Sequence, residues 1–479
     1  MDAVHRGGVS RLLISALVLL LVPLSGGGVE ARRSPRATGP VVEHRPGGKK
    51  IAQSSARIVN VKVWDHAGEP TVGINPGGDL FYVALDSSGD EIADGRRVPA
   101  QVHLFRSQDA GASWQDISPA AGPQRRHALS LDPYILVDHL PDGDTSRLFT
   151  IDLTVACSYL SFSDDDGETW TTNPLACGRP VNDHQTLFAG PPVTSPTIGY
   201  PHIVYYCYSD VATSSCSKSL DGGLSFMPTG PPAFTGYDDE LCGGLHGHGV
   251  VGPDGAIYLP REYCESPMLG ISRDEGRTWE VVQVSSMRAV ENDPSVAVDD
   301  EGNIYYLFLG LEDRLPYLTF SRDKGKTWSV PVMVGVPGLK EASLATLDVG
   351  DTGKVAIAYM GSTNVKITPA ADPDEVDVRD HLHATWNAYV AVGVDVLTAR
   401  PTFITGQVNA ASDPIKRRTC GPGACGRVLD FLDVVIAPDG TPWATFVDAC
   451  MDECSTPTGD EDLGDEAMIG HLVGAPSLN

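Results

Sequence analysis

The chain has 479 residues, 42% of them hydrophobic and 20% charged, a globular composition that excludes a disordered or fibrous protein. Its formal charge of −27 creates a field that repels phosphate backbones and excludes nucleic acid as a partner. The 51 Gly and 36 Pro call for many tight turns between short elements and disfavour long helices.

At the N-terminus, Arg6 and Arg11 precede an apolar run from Leu12 to Leu24, and Val29-Glu30-Ala31 fits a signal-peptidase site. Residues 1–31 are read as a secretory signal. The run is shorter than the roughly 20 residues of a spanning helix, so a secreted, extracellular chain without a transmembrane anchor is expected. Residues 32–56 are rich in Arg and Lys with few apolar side chains, which predicts a flexible basic tail. The rest, 57–479, is expected to form one domain. Ten Cys in a secreted chain should pair as disulfides rather than hold zinc. Spacing suggests the neighbours Cys157–Cys177, Cys207–Cys216, Cys242–Cys264, Cys420–Cys425 and Cys450–Cys454.

Two repeats run through the domain. The first, S-x-D-x-G-x-[ST]-[WF], occurs at 107–114, 163–170, 219–226, 272–279 and 321–328. Its Asp can accept hydrogen bonds from following backbone N–H groups, its Gly permits positive φ, and its aromatic opens an outgoing strand. The second is a polar residue leading an apolar alternation and a turn glycine. Its starts are Glu69, Asp132, Asp183, His246, Asp293, Glu341 and one of Asp430 or Asp433. Their separation suits four-stranded units of about 40–50 residues with insertions. The alternating Val and Ile of 56–64 supply one further strand, where the seventh unit has room for only three.

The five copies of the first motif resemble the Asp boxes (BNR repeats) of sialidase-like secreted β-propellers. That resemblance implies an all-β fold, a single propeller with the boxes on its rim as scaffold. The seven starts predict seven four-stranded blades, with six as the runner-up and the N-terminal strand closing the last blade.

In a propeller the first strands line a central channel, so the seven starts would converge there as an acidic ring, joined by His184, His248 and His139. Such a ring suits acid/base work by two carboxylates, a bound Ca²⁺, or an imidazole–carboxylate metal site using His246 and His248. Each acid could equally cap its own strand entry. The resemblance to sialidases implies three arginines, a Tyr–Glu nucleophile and an Asp acid/base. The Phe-Arg-Ile-Pro motif of that family is absent, leaving Arg261, Arg427 and Tyr359 as candidates by residue type.

Two functions follow. One is a glycoside hydrolase acting on extracellular glycan or glycoprotein, with Glu69, Asp132, Asp183, Asp293, Glu341, Arg261 and Tyr359 as catalytic candidates and His184, His246, His248 and Arg427 as substrate contacts. The other is a propeller that binds a glycan or protein without turnover. A monomer requiring no cofactor is expected.

Overall fold

A computed structural model describes residues 38–86, 91–92, 96–97, 101–119, 131–153, 158–175, 182–210, 213–235, 245–290, 293–365, 384–417, 428, 430–450 and 465–479. The expected signal segment, Arg427 and six of the ten cysteines lie outside these residues. Among them there is no helix long and apolar enough to cross a membrane.

The fold is all-β. Five separate four-stranded antiparallel sheets begin at Gly68–Ile74, Leu131–His139, Asp183–Gly190, Val250–Val251 and Ser295–Val298. A ten-stranded sheet follows, with Glu341–Val349 at one end and Val434–Ile436 at the other. These seven strands line a central channel of about 490 Å³. Each second strand, such as Leu80–Asp86, Ile304–Leu309 or Pro442–Asp448, is buried on both faces for most or all of its length. Sheets packed face to face require this, and it explains the near-continuous apolar runs in the sequence.

Each copy of the S-x-D-x-G motif begins at the last residue of a third strand and makes the same turn. Asp109, Asp165, Asp221, Asp274 and Asp323 each accept the backbone N–H four residues on, at 2.8–2.9 Å. The motif serine accepts the glycine N–H, as in Gly167 to Ser163 at 2.9 Å, and that glycine has φ near +90°.

The N-terminal strand behaves as the pattern predicts, since Ile58–Trp64 pairs antiparallel with Glu466–Leu472. The stretch expected as a flexible tail differs. Its described part, from Thr38, is a hairpin of Thr38–Arg45 and the first half of Lys49–Trp64, and Val41–His44 pairs with the strand Thr402–Gln407. The physical reason is the open edge of that strand, which the hairpin covers while burying Val41 and His44. His44 Nε2 lies 2.9 Å from Thr405 Oγ1.

Cys207 and Cys216 face each other on adjacent strands and form the disulfide that the spacing predicts. Cys264 and Cys450 are also disulfide-bonded.

Candidate active site at the axis mouth

The inner strands are fastened to one another by a repeated hydrogen bond. Thr71 Oγ1 accepts Ile135 N–H (3.1 Å), Thr186 Oγ1 accepts Gly249 N–H (3.3 Å), and Ser295 Oγ accepts Leu347 N–H (3.1 Å). Asp433 Oδ2 accepts Val72 N–H (3.1 Å), joining the last inner strand to the first. This contact sets the register. The strand entries are Glu69, His184, Asp293 and Phe431, two residues before the accepting side chains, and Asp132, His246 and Leu344, three residues before the donating N–H groups of the intervening strands.

Two expected members are thereby corrected. At the third entry His184 takes the place of Asp183, which is exposed. At the sixth the position belongs to Leu344, and Glu341 lies three residues upstream, buried in an ion pair with Arg314 at 2.9 Å. At the seventh the position is Phe431, flanked by Asp430. Glu69, Asp132, His184 and Leu344 have φ of 48–53° beside bulges in their strands. An L residue reaches that region only at a cost of order 1 kcal/mol or more, so the ring geometry imposes it.

The carboxylates of the first two entries act as fasteners. Glu69 Oε2 accepts Asp132 N–H and Asp132 Oδ2 accepts His184 N–H, both at 3.0 Å. Burial, reinforced by Asp132 and Asp430, raises the Glu69 pKa well above the usual carboxylate range. Asp132 is pushed up to about 6, by burial first and by Asp183, against the pull of His184.

His184 Nε2 forms an ion pair with Asp293 Oδ2 at 2.6 Å. Burial opposes its charge, but Asp293, Asp132 and Asp430 outweigh that and raise it to about 10, so it is an imidazolium at neutral pH. On its neighbours burial, and after it the His184 charge, act the other way. His246, edge-on at 5.9 Å, falls to about 3, and His248, stacked at 5.6 Å, is lowered well below 6.5. Gly247 makes this packing possible, because a Cβ there would lie 2.0 Å from the Pro294 carbonyl oxygen.

Asp293, Asp430, His248, Leu344 and Phe431 line one small pocket at the mouth. Asp430 is pushed up to about 6 by burial and then by Asp293, with His184 opposing. Phe431 meets His184 edge-on at 5.4 Å and His248 at 5.2 Å. His248 Nε2 has no hydrogen-bond partner among the described residues.

The remaining candidates lie elsewhere. Tyr359 is fully buried, stacks on Tyr389 at 5.4 Å and accepts Val336 N–H on its hydroxyl at 2.9 Å. Arg261 is buried between Phe234 and Tyr263 and donates to Ser214 Oγ at 2.9 Å. His139 Nε2 is 2.6 Å from the Ile74 carbonyl oxygen. Among the described residues no group of three or more His, Cys, Asp or Glu is arranged to hold a metal ion. The ring acids are instead engaged by backbone N–H groups and by His184. Phe431 and Leu344 were missed by sequence reasoning, which looked only for polar starts.

No family model matches the chain, and no curated protein matches it. Among solved structures it is similar to the Hadza microbial sialidase Hz136, with 17% identity over 66% of this chain and 69% of that one and a TM-score of 0.42. It is similar to an α-L-arabinofuranosidase of Fusarium graminearum, with 13% identity over 74% and 99% and a TM-score of 0.41. It is also similar to the NanB sialidase of Streptococcus pneumoniae, with 12% identity over 87% and 70% and a TM-score of 0.41. At these values the fold rests on the sheets and turns described above.

Proposed function

We propose that the protein is a secreted glycoside hydrolase on a seven-bladed propeller, acting on extracellular glycans or glycoproteins at the axis mouth. Seven inner strands around one channel, fastened from last back to first, support the blade number. The paired cysteines suit an oxidising compartment.

The observation that carries the enzymatic reading is the pairing of Asp430 and Asp293 in one pocket with different partners. Glycoside hydrolysis needs one carboxyl that keeps its proton and one that stays charged. Asp430, at about 6, can deliver a proton to a glycosidic oxygen near neutral pH. Asp293, ion-paired with His184 at 2.6 Å, can activate water or stabilise positive charge at the anomeric carbon. Phe431 and Leu344, both buried, form the apolar wall of this pocket beside the two carboxyl groups.

Binding without turnover is the second reading, and it draws on Glu69 and Asp132, whose carboxylates are occupied by backbone N–H groups. Incubation with a panel of neutral and acidic glycans, scored for both retention and released sugar, separates the two. Release that Asp430→Asn abolishes supports the hydrolase; retention with no release supports the binding module.

A further inference from the structure

A second cavity, of about 520 Å³, lies away from the axis between the fifth sheet, the turn joining Thr385–Val394 to Thr402–Gln407, and the tip of the N-terminal hairpin. The third strand of the fifth sheet, Pro316–Ser321, ends here in its S-x-D-x-G turn. That is the end of the sheets opposite the entries of the inner strands, so this cavity and the axis mouth open on opposite faces.

Its chemistry is unlike the rest of the molecule. In a chain with 62 acidic and 35 basic residues, the cavity is lined by Arg45, Lys49 and Arg400 and by no acid. Elsewhere several arginines are neutralised, as Arg106 is by Asp79, Arg147 by Asp164 and Arg288 by Glu265 and Glu312. None of the three cavity cations has an ion pair among the described residues. Between them the floor is apolar, formed by Phe320, Val396 and Pro401. The hairpin is held in place here, with Gly47 N–H donating to the Met333 carbonyl at 3.0 Å, so Arg45 and Lys49 are fixed at the rim.

We propose that this cavity binds an anionic polysaccharide, its carboxylate or sulfate groups meeting Arg45, Lys49 and Arg400 while sugar C–H faces rest on the apolar floor. Arginine matches planar and tetrahedral oxyanions through paired N–H donors. The repulsion of the acidic body is screened beyond about 8 Å at physiological ionic strength, whereas the cavity cations act at contact. The protein would thus hold an acidic polymer on one face and present its axis mouth on the other. This proposal does not depend on turnover at the mouth.

The test immobilises polygalacturonate, dextran sulfate and neutral dextran and measures binding of the full chain at 0.15 M salt, roughly physiological ionic strength. Wild type is expected to bind one or both charged polymers and not dextran, and the response to each distinguishes carboxylate from sulfate recognition. Lys49→Glu with Arg400→Glu should weaken binding at least tenfold, while the charge-matched Lys326→Glu with Lys340→Glu, outside the cavity, changes it less than twofold. Equal binding to dextran, no binding to either polymer, or equal losses in the two double variants would overturn the proposal. So would a concentration-dependent rise in mass without polymer that Lys49→Glu with Arg400→Glu abolishes, since the cavity would then hold a second copy of the chain.

Discussion

His184 and Asp293 form a buried ion pair at 2.6 Å across the mouth of the channel, joining strand entries 109 residues apart in sequence. Around this pair the other groups are ordered by charge. Burial first, and then the charge of His184, keeps two histidines neutral, and burial followed by the negative charge of Asp293 pushes Asp430 up to about 6.

Removing one partner strands the other. Asp293→Asn should lower the His184 pKa by more than one unit, visible in its imidazole NMR titration, and destabilise the fold by about 3 kcal/mol, as when one member of a buried pair is deleted. An unchanged His184 titration would show that Asp132 and Asp430 suffice to hold its charge.

Stability should fall as pH rises. Burial raises Asp433 and Asp448 to about 7 and Asp348 to about 6, against about 3.9 in an unfolded chain. Folded protein therefore binds more protons between roughly pH 4 and 7, and stability is lost across that window as pH increases. His184, raised to about 10, contributes stability below about 6.5 that is lost only as pH rises through 10. The turn carboxylates act oppositely: Asp221 and Asp274 are lowered, despite opposition from burial, by hydrogen bonds from Ser225 and Thr278, and lose their contribution only below about pH 4. His246 and His248, lowered by burial first, act against this below about 6.5, where only the unfolded chain takes up their protons, so the carboxyl and His184 contributions are read above that value: the melting temperature should fall from about pH 6.5 to 8, and a rise would contradict these environments.

The glycine between the two histidines is required sterically. Gly247→Ala places a methyl 2.0 Å from the Pro294 oxygen and should cost about 1–3 kcal/mol by overpacking. Since backbone rather than a side chain is in the way, the pocket should deform as well. Urea titration alongside glycan binding checks both effects.

Much of the fold was legible because its devices are local. Five S-x-D-x-G turns and the Val/Ile alternation of 56–64 carry their structure in a few adjacent residues. The hairpin from Thr38 was not legible, because its partner is an edge strand more than 350 residues away. The site was half legible. Glu69, Asp132, His246 and Asp293 stand at the entries as the repeat suggests, but the one-residue shift to His184 and the three-residue shift to Leu344 depend on bulges. Phe431 escaped because an apolar residue at a strand entry has no distinguishing pattern. Arg261 and Tyr359 are types that catalysis uses, yet packing holds both within the blades.

The closing of the ring rests on Ile58, which is 2% exposed beside Leu472. Ile58→Ala should destabilise by about 2–4 kcal/mol and promote aggregation as the strand Glu466–Leu472 loses its cover. Light scattering during a thermal ramp checks this, and scattering equal to wild type would show that closure lies elsewhere.

The most direct test of the account is the turnover of a neutral glycan by Asp430→Asn across pH 4–8. The account predicts wild-type turnover with a falling limb near pH 6, a loss of about 10²–10⁴-fold in the variant, as for removal of a general acid, and retained binding. Turnover by the variant at the wild-type rate with the same pH profile would contradict it.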